Sequence, residues 1–192
     1  MKTASQRDAR AELRHSSRTR LDDLFLRMNS REVGIVATFV RHAESRPLLW
    51  TALAINQLCN GWIYVPVVLY VGYLREWKLL VALGAGVSIA HLFYGSAKPR
   101  FARVRPFHFT QSIPVRSRCL DLYSFPSGHC MTLSVVSLLV CWRHHALIPA
   151  LAAGLVLLCW ARVASGQHYP TDLIAGIGVG SFVATSVALC LF

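Results

Sequence analysis

Five stretches of this chain, at about 48–74, 78–97, 126–142, 146–161 and 172–192, carry almost no charge. In hydrocarbon a backbone must satisfy its own N–H and C=O groups within the segment, which leaves the helix as the fold for each run. A span needs about 20 residues, so the first run is ample while the third and fourth draw on flanking residues. The expected architecture is all-α: an integral membrane bundle of five transmembrane helices, or six if Asn60-Gly61 divides the first run. Composition agrees, since 54% hydrophobic residues and a mean hydropathy of +0.44 are too apolar for an ordinary soluble domain of 192 residues.

The charge lies between and ahead of these runs. Lys and Arg outnumber Asp and Glu by 20 to 9, giving a formal net charge of +11. Residues 1–47 hold ten of the basic and six of the acidic side chains. Leu21, Leu24, Phe25, Met28, Val33, Val36, Phe39 and Val40 recur there at roughly helical spacing, which predicts an amphipathic interfacial helix behind a basic tail over residues 1–18. The chain thus divides into a basic N-terminal segment, 1–47, and a transmembrane catalytic domain, 48–192. Such an excess of cations calls for an anionic partner. Membrane lipid headgroups and a phosphorylated substrate fit; nucleic acid does not, because a DNA-binding protein has no use for long uncharged runs. The N-terminus is polar and Arg-rich, so no cleavable secretory signal is expected. Cys59, Cys130, Cys141, Cys159 and Cys190 fall in or beside apolar runs without C-x-x-C spacing and read as small buried hydrophobes. Cys119 stands apart in a loop, where pairing with Cys130 is the less favoured alternative.

Residues 98–125 form by far the longest connection, with Lys98, Arg100, Arg103, Arg105, Arg116 and Arg118 against one acid, Asp121. A long ordered loop at a membrane surface is usually functional. An even number of spans separates Lys98–Pro106, Phe125–His129 and Arg162–Asp172, so all three segments emerge on one face. They offer cations, imidazoles and one carboxylate, without the thiols or acid cluster of a metal site; no metal or other cofactor is expected. Pro126 suits the first turn of a helix, which would set the amides of Ser127 and Gly128 at an anion-binding N-terminus. Gly128 adds no side chain to block a phosphate oxygen, and His129 follows where it can exchange a proton with a leaving oxygen. Pro170 is placed to open the last helix. His168 and Asp172 are four apart, so the carboxylate can fix one ring nitrogen and leave the other as nucleophile. Lys98, Arg105 and Arg162 can grip phosphate oxygens and stabilise a transferring phosphoryl group.

These three segments resemble the signatures of the type 2 phosphatidic acid phosphatase (PAP2) family, K-x6-RP, PSGH and SR-x5-H-x3-D, with all spacings kept. The resemblance covers roughly residues 50–192. It implies that His168 attacks phosphorus and forms a phosphohistidine, that Asp172 orients it, and that His129 protonates the leaving group. Lys98, Arg105, Arg162, Ser127 and the Gly128 amide would cradle the phosphate. Substrates of the family include phosphatidic acid, phosphatidylglycerol phosphate, undecaprenyl diphosphate and lipid A phosphates. One position departs: Ala161 stands where the family usually has Ser, a residue expected to support phosphate binding.

Other residues have plainer readings. His91 reads as structural, bonded to a nearby backbone carbonyl, and His144 and His145 as solvated loop residues. Arg100, Arg103, Arg116 and Arg118 read first as headgroup contacts. Gly176, Gly178 and Gly180 suit close helix packing, and the tryptophans suit interfacial anchoring. The leading function is a metal-independent membrane phosphatase acting on the terminal phosphate of a lipid. A phosphotransferase using the same intermediate and a non-enzymatic lipid-binding protein are the alternatives. The site belongs to a multi-pass cell (inner) membrane protein. The positive-inside rule puts the motif face in the cytoplasm, whereas many family members work on the opposite face.

Overall fold

Each apolar run becomes helical, and each break falls at Pro, Gly or charge. The computed structural model describes residues 20–116 and 121–192; the expected basic tail, Arg118 and Cys119 lie outside the described residues. Helix α1 spans Arg20–His42, α2 Arg46–Gln57, α3 Tyr64–Tyr73, α4 Trp77–Phe101, α5 Pro106–Phe109, α6 Gly128–Arg143, α7 Ile148–Ala164 and α8 Pro170–Leu191. The fold is an all-α membrane bundle. By length and composition, α4, α7 with the 3-10 turn before it, and α8 are apolar and long enough to cross a membrane, while α3 and α6 are apolar but shorter. Leu69, Leu92, Val156, Ile174, Phe182 and Leu189 are each more than two-thirds exposed, an outer surface suited to lipid rather than water.

The first run does break at Asn60-Gly61. Between α2 and α3 the chain makes one wide turn over Leu58–Trp62, in which Asn60 leaves helical geometry and Gly61 takes φ 125°. That backbone conformation is accessible to glycine at little cost. The Asn60 Nδ2 donates to the Gln57 Oε1 at the end of α2, 3.3 Å away.

Helix α1 is amphipathic as expected, with Asp22 and Asp23 in its first turn and Arg41 and His42 in its last, matching its macrodipole. Its buried face differs from the apolar pattern. Phe25, Asn29, Glu32, Val36 and Val40 face inward, whereas Leu21, Leu24 and Phe39 are exposed. Val36 and Val40 join Ile113, Leu158, Val163 and Tyr169 in a core beneath α1, α7 and the start of α8.

The main core lies among α4, α6 and α8, built on Leu79, Leu83, Met131, Val135, Leu139 and Val183. Helices α6 and α8 approach most closely where glycine permits. A Cβ on Gly176 would come within 2.4 Å of the Ser127 carbonyl oxygen, and one on Gly180 within 2.4 Å of that of Met131; a Cβ on Gly178 would meet nothing. Helix α6 starts at Gly128 with Ser127 as its cap, not at Pro126, because the Ser127 amide is drawn to the Asp172 carbonyl oxygen at 3.0 Å. Helix α8 opens at Pro170 as expected.

Cys59 and Cys130 are buried, Cys141 and Cys159 half-buried and Cys190 exposed on α8, so burial holds only for part of the set. The Cys130 thiol is free and lies 3.8 Å from that of Cys159. The His91 Nδ1 bonds the Val87 carbonyl oxygen at 2.9 Å. His144 is not merely solvated: with Arg143 it pairs with Glu76 at the end of the bundle away from the motifs.

The glycine contacts make a graded prediction. Gly176→Ala and Gly180→Ala should each lower the apparent melting temperature in detergent by several degrees, the expression of an overpacking cost of about 1–3 kcal/mol. Gly178→Ala should melt with the parent chain. Equal melting of all three would show that α6 and α8 are not in this close register.

Candidate active site

Four helix ends meet at one end of the bundle. The last turns of α4 bring Lys98, the start of α6 brings Gly128 and His129, the end of α7 brings Arg162, and the start of α8 brings Asp172. Arg105 arrives from the loop after α4, and His168 from the connection between α7 and α8. Around a cavity of about 660 Å³ the structure brings together Lys98, Arg105, Arg162, Gly128, His129 and His168.

Asp172 is fixed by local rules. With Tyr169 extended at the N-cap and Pro170 at the first helical position, Asp172 falls at N3, where its Oδ2 accepts the Tyr169 amide at 2.9 Å. The same oxygen faces the His168 Nδ1 at 3.5 Å. The other ring nitrogen, Nε2, lies 3.5 Å from the Arg105 Nη1. His168 is 2% exposed. Burial, and then the charges of Arg105, Arg162 and Lys98, push its pKa well below the ordinary imidazole value, with Asp121 opposing. The ring is therefore neutral at physiological pH.

The cations are held in place by groups that the sequence motifs do not include. The Asp121 Oδ1 accepts from Lys98 Nζ at 2.6 Å and from Arg105 Nη2 at 2.7 Å, and its Oδ2 accepts from the Tyr94 hydroxyl at 2.5 Å. Burial alone would raise the Asp121 carboxyl, but the hydrogen bonds from Lys98 and Tyr94 and the charge of Arg105 outweigh it and hold the pKa well below the usual carboxylate range. Gln167 gives its backbone oxygen to Arg105 Nη1 at 2.8 Å and its side-chain oxygen to Arg162 Nη1. The His129 Nε2 bonds the Asn60 Oδ1 at 2.5 Å.

Four expectations need correction. Ser127 is fully buried with its amide committed to Asp172, so that amide is not free for phosphate. Gly128 does line the cavity, but its missing side chain makes room for the Tyr94 ring, whose Cε2 would lie 2.5 Å from an added Cβ. Nor does Arg103 touch headgroups. It is 1% exposed, and its Nη1 donates to Asp172 Oδ1 at 2.6 Å. Arg116 is likewise folded inward, onto the carbonyl oxygens of Ala43 and Ala164; Arg100 is exposed as expected. Ala161 packs with Ala43, Ala52 and Ala164 between α2 and α7. Among the described residues no three His, Cys, Asp or Glu side chains converge as a metal site would need.

Asp121 and Gln167 could have been suspected, the first as the lone acid of a basic loop and the second as the residue before His168. Nothing local marks Asn60 or Tyr94, which reach the cavity only through the helix break and the packing of α4.

Comparison with known proteins gives the chain's family and fold relatives. Residues 75–192 match the model of the PAP2 superfamily. The decaprenylphosphoryl-5-phosphoribose phosphatase of Mycobacterium tuberculosis is 26% identical over 160 residues, covering 81% of this chain and 88% of that one. The undecaprenyl-diphosphatase of Sulfolobus acidocaldarius is 31% identical over 126 residues, covering 64% and 60%. The crystal structure of Aquifex aeolicus LpxE superposes with a TM-score of 0.72 at 18% identity, covering 82% of this chain and 94% of that one.

Because Asp121 places a carboxylate on both Lys98 and Arg105, it would compete with any anion that uses them. Asp121→Asn should bind inorganic phosphate about tenfold more tightly or better, removal of one nearby charge being worth at least the 1.4 kcal/mol that tenfold represents. Titration calorimetry in detergent measures this. Unchanged or weaker binding would make Asp121 a support for the cations and not their competitor.

Proposed function

The chain belongs to the PAP2 superfamily, and on that premise we propose that it is a membrane phosphatase that removes the terminal phosphate of a phosphorylated lipid. The observation that carries this reading is a neutral, buried imidazole with one nitrogen toward a carboxylate and the other toward Arg105, beside Lys98 and Arg162. Beside it, a second cavity of about 750 Å³, walled by residues such as Val67, Leu80, Leu83 and Val87, shares Asn60, Tyr94, Gly128 and His129 with the first. A phosphate in one cavity and an apolar tail in the other describe a lipid phosphate. The relatives fit this class, since their names specify prenyl lipids carrying phosphate.

In this reading the His168 Nε2 lone pair forms a bond to phosphorus as the bond from phosphorus to the leaving oxygen breaks, and that oxygen takes a proton delivered by His129. Asp172 accepts from Nδ1–H and balances the charge that develops on the ring. Lys98, Arg105 and Arg162 hold the equatorial oxygens of the transferring group, with Gly128 lining the same wall. Water then attacks the phosphohistidine, giving its proton to His129, and inorganic phosphate leaves as His168 is restored. The chemistry is complete in protein groups and is proposed to need no metal. Residues 48–192 form the catalytic body in a cell (inner) membrane, and α1 lies at the membrane surface. Transfer of the phosphoryl group to an acceptor lipid in place of water is the second reading, since the first half of the reaction is the same.

Purified protein in detergent should release phosphate from at least one of phosphatidic acid, phosphatidylglycerol phosphate, undecaprenyl diphosphate and lipid A 1-phosphate. His168→Ala should lose this activity by a factor of about 10⁴ or more; full retained activity sinks the mechanism. Free phosphate formed without an added acceptor lipid selects the hydrolase over the transferase. The pH profile adds a signed test. A depressed pKa keeps the nucleophile unprotonated, so the acid limb of kcat/KM attributable to His168 should fall below the ordinary value of about 6.5. Lys98→Met removes a cation that disfavours the imidazolium and should move that limb upward. A shift downward would contradict the assignment.

A further inference from the structure

Arg103 is among the most completely buried large side chains of the protein, and no step of the proposed reaction uses it. Its guanidinium is nonetheless hydrogen-bonded at Nη1 and Nε, with Nη2 left to an ion pair alone. Nη1 donates to Asp172 Oδ1 and to Thr171 Oγ1, both at 2.6 Å. Nε donates to Asn29 Oδ1 at 2.8 Å, and Nη2 lies 3.6 Å from Glu32 Oε1. The face of the group stacks over Tyr169, its Cζ 4.2 Å from the ring centroid. Glu32 also reaches the start of α8, accepting from the Thr171 amide at 3.2 Å and from the Thr171 hydroxyl at 2.8 Å. Two of these partners, Asn29 and Glu32, come from α1.

This arrangement has a geometric and an electrostatic consequence. A carboxylate can swing about its last bond, but in Asp172 one oxygen is tied to Arg103 and the other to the Tyr169 amide, so Oδ2 stays aimed at His168. Arg103 alone would cancel the charge that Asp172 offers to the ring. Glu32 restores it: one guanidinium between two carboxylates leaves a net negative cluster, which favours the positive ring formed when Nε2 becomes bonded to phosphorus. Asn29 and Glu32 sit on the inward stripe of α1 at positions where a merely amphipathic helix would carry apolar residues.

We propose that Arg103, held by Asn29 and Glu32 of α1, is the positioning residue for Asp172, so that the N-terminal helix is a working part of the catalytic centre. This rests on the reading of His168 and Asp172 as the catalytic pair. It places the function of α1 in the phosphoryl-transfer step and not in substrate affinity, because neither Asn29 nor Glu32 lines the phosphate cavity.

The test uses the full chain in detergent and the lipid phosphate from the panel above that the parent protein cleaves fastest. Single-turnover rate constants are compared, since these do not depend on the fraction of active molecules. Glu32→Gln and Asn29→Ala should each slow the step about tenfold, and Arg103→Leu about 100-fold, the scale of a catalytic group displaced by an ångström, with KM within about twofold of the parent. Arg103→Lys keeps a charge beside Asp172 but loses the fork to Asn29, and should fall between. Arg103→Leu combined with Glu32→Gln should be no slower than Arg103→Leu alone, since both act through one contact. A Glu32→Gln rate equal to the parent, a rise in KM that accounts for the loss, or strictly multiplying effects would overturn the proposal. Should Arg103→Leu not fold, the near-isosteric Glu32→Gln decides alone. Retained activity in His168→Ala would instead bring down the catalytic reading itself, whatever the α1 variants do.

Discussion

Lys98, Arg103, Arg105 and Arg162 are almost wholly buried at one end of a bundle whose outer face is apolar. Taking a cation out of water costs several kcal/mol unless anions and carbonyl oxygens replace the lost hydration. Much of the irregular structure at this end follows from meeting that demand. Asp121 answers Lys98 and Arg105, Asp172 and Glu32 answer Arg103, and Gln167 supplies an oxygen each to Arg105 and Arg162. Among its described residues the loop after α4 has little regular structure beyond the short α5 and a bridge between Val104 and Tyr123. It is held in place by these pairings and by the Ser124 amide on the Arg103 carbonyl oxygen at 2.8 Å. Burial and then these same cations keep His168 neutral, so the demand that shapes the fold also prepares the proposed nucleophile.

The apolar part of the bundle contributes precision of another kind. Gly176 and Gly180 let α8 settle against the backbone of α6, and at the upper end of that contact the Ser127 amide meets the Asp172 carbonyl oxygen. Two sequence segments that carry proposed chemistry are thereby fixed to each other through main chain, with no dependence on flexible side chains. Interiors of this density transmit small displacements, which makes the glycine stripe part of the support of the site although it lies outside the cavity.

What could be read from the sequence was what local rules determine. The apolar runs, the break at Asn60-Gly61, the opening of α8 at Pro170 and the approach of His168 to Asp172 at one helical turn all depend on near neighbours in the chain. The partners of the buried cations depend on tertiary placement. Arg103 looked like its exposed neighbour Arg100, since a basic loop residue carries no local mark of burial; only the fold shows it lying between α1 and α8. Asn29 and Glu32 did leave a trace, two polar residues on the spacing of Phe25, Val36 and Val40, but a stripe judged by its apolar members passes over them. The Ser127 amide is the reverse case: in sequence a helix N-terminus is open, whereas in the fold another helix claims it.

The break in the first apolar run gains a meaning in the same terms. A straight helix there would bury its polar Asn60 against lipid or neighbouring helices at a cost. The wide turn with Gly61 at positive φ instead carries Asn60 to the junction of the two cavities, where its carboxamide oxygen bonds His129. On the proposed reading, a lipid phosphate with its head among the cations and its tail along Val67, Leu83 and Val87 passes this junction, and the bond to be broken lies there. On the proposed mechanism the acid therefore stands where the substrate changes from polar to apolar, oriented by a residue that is there because the helix is broken.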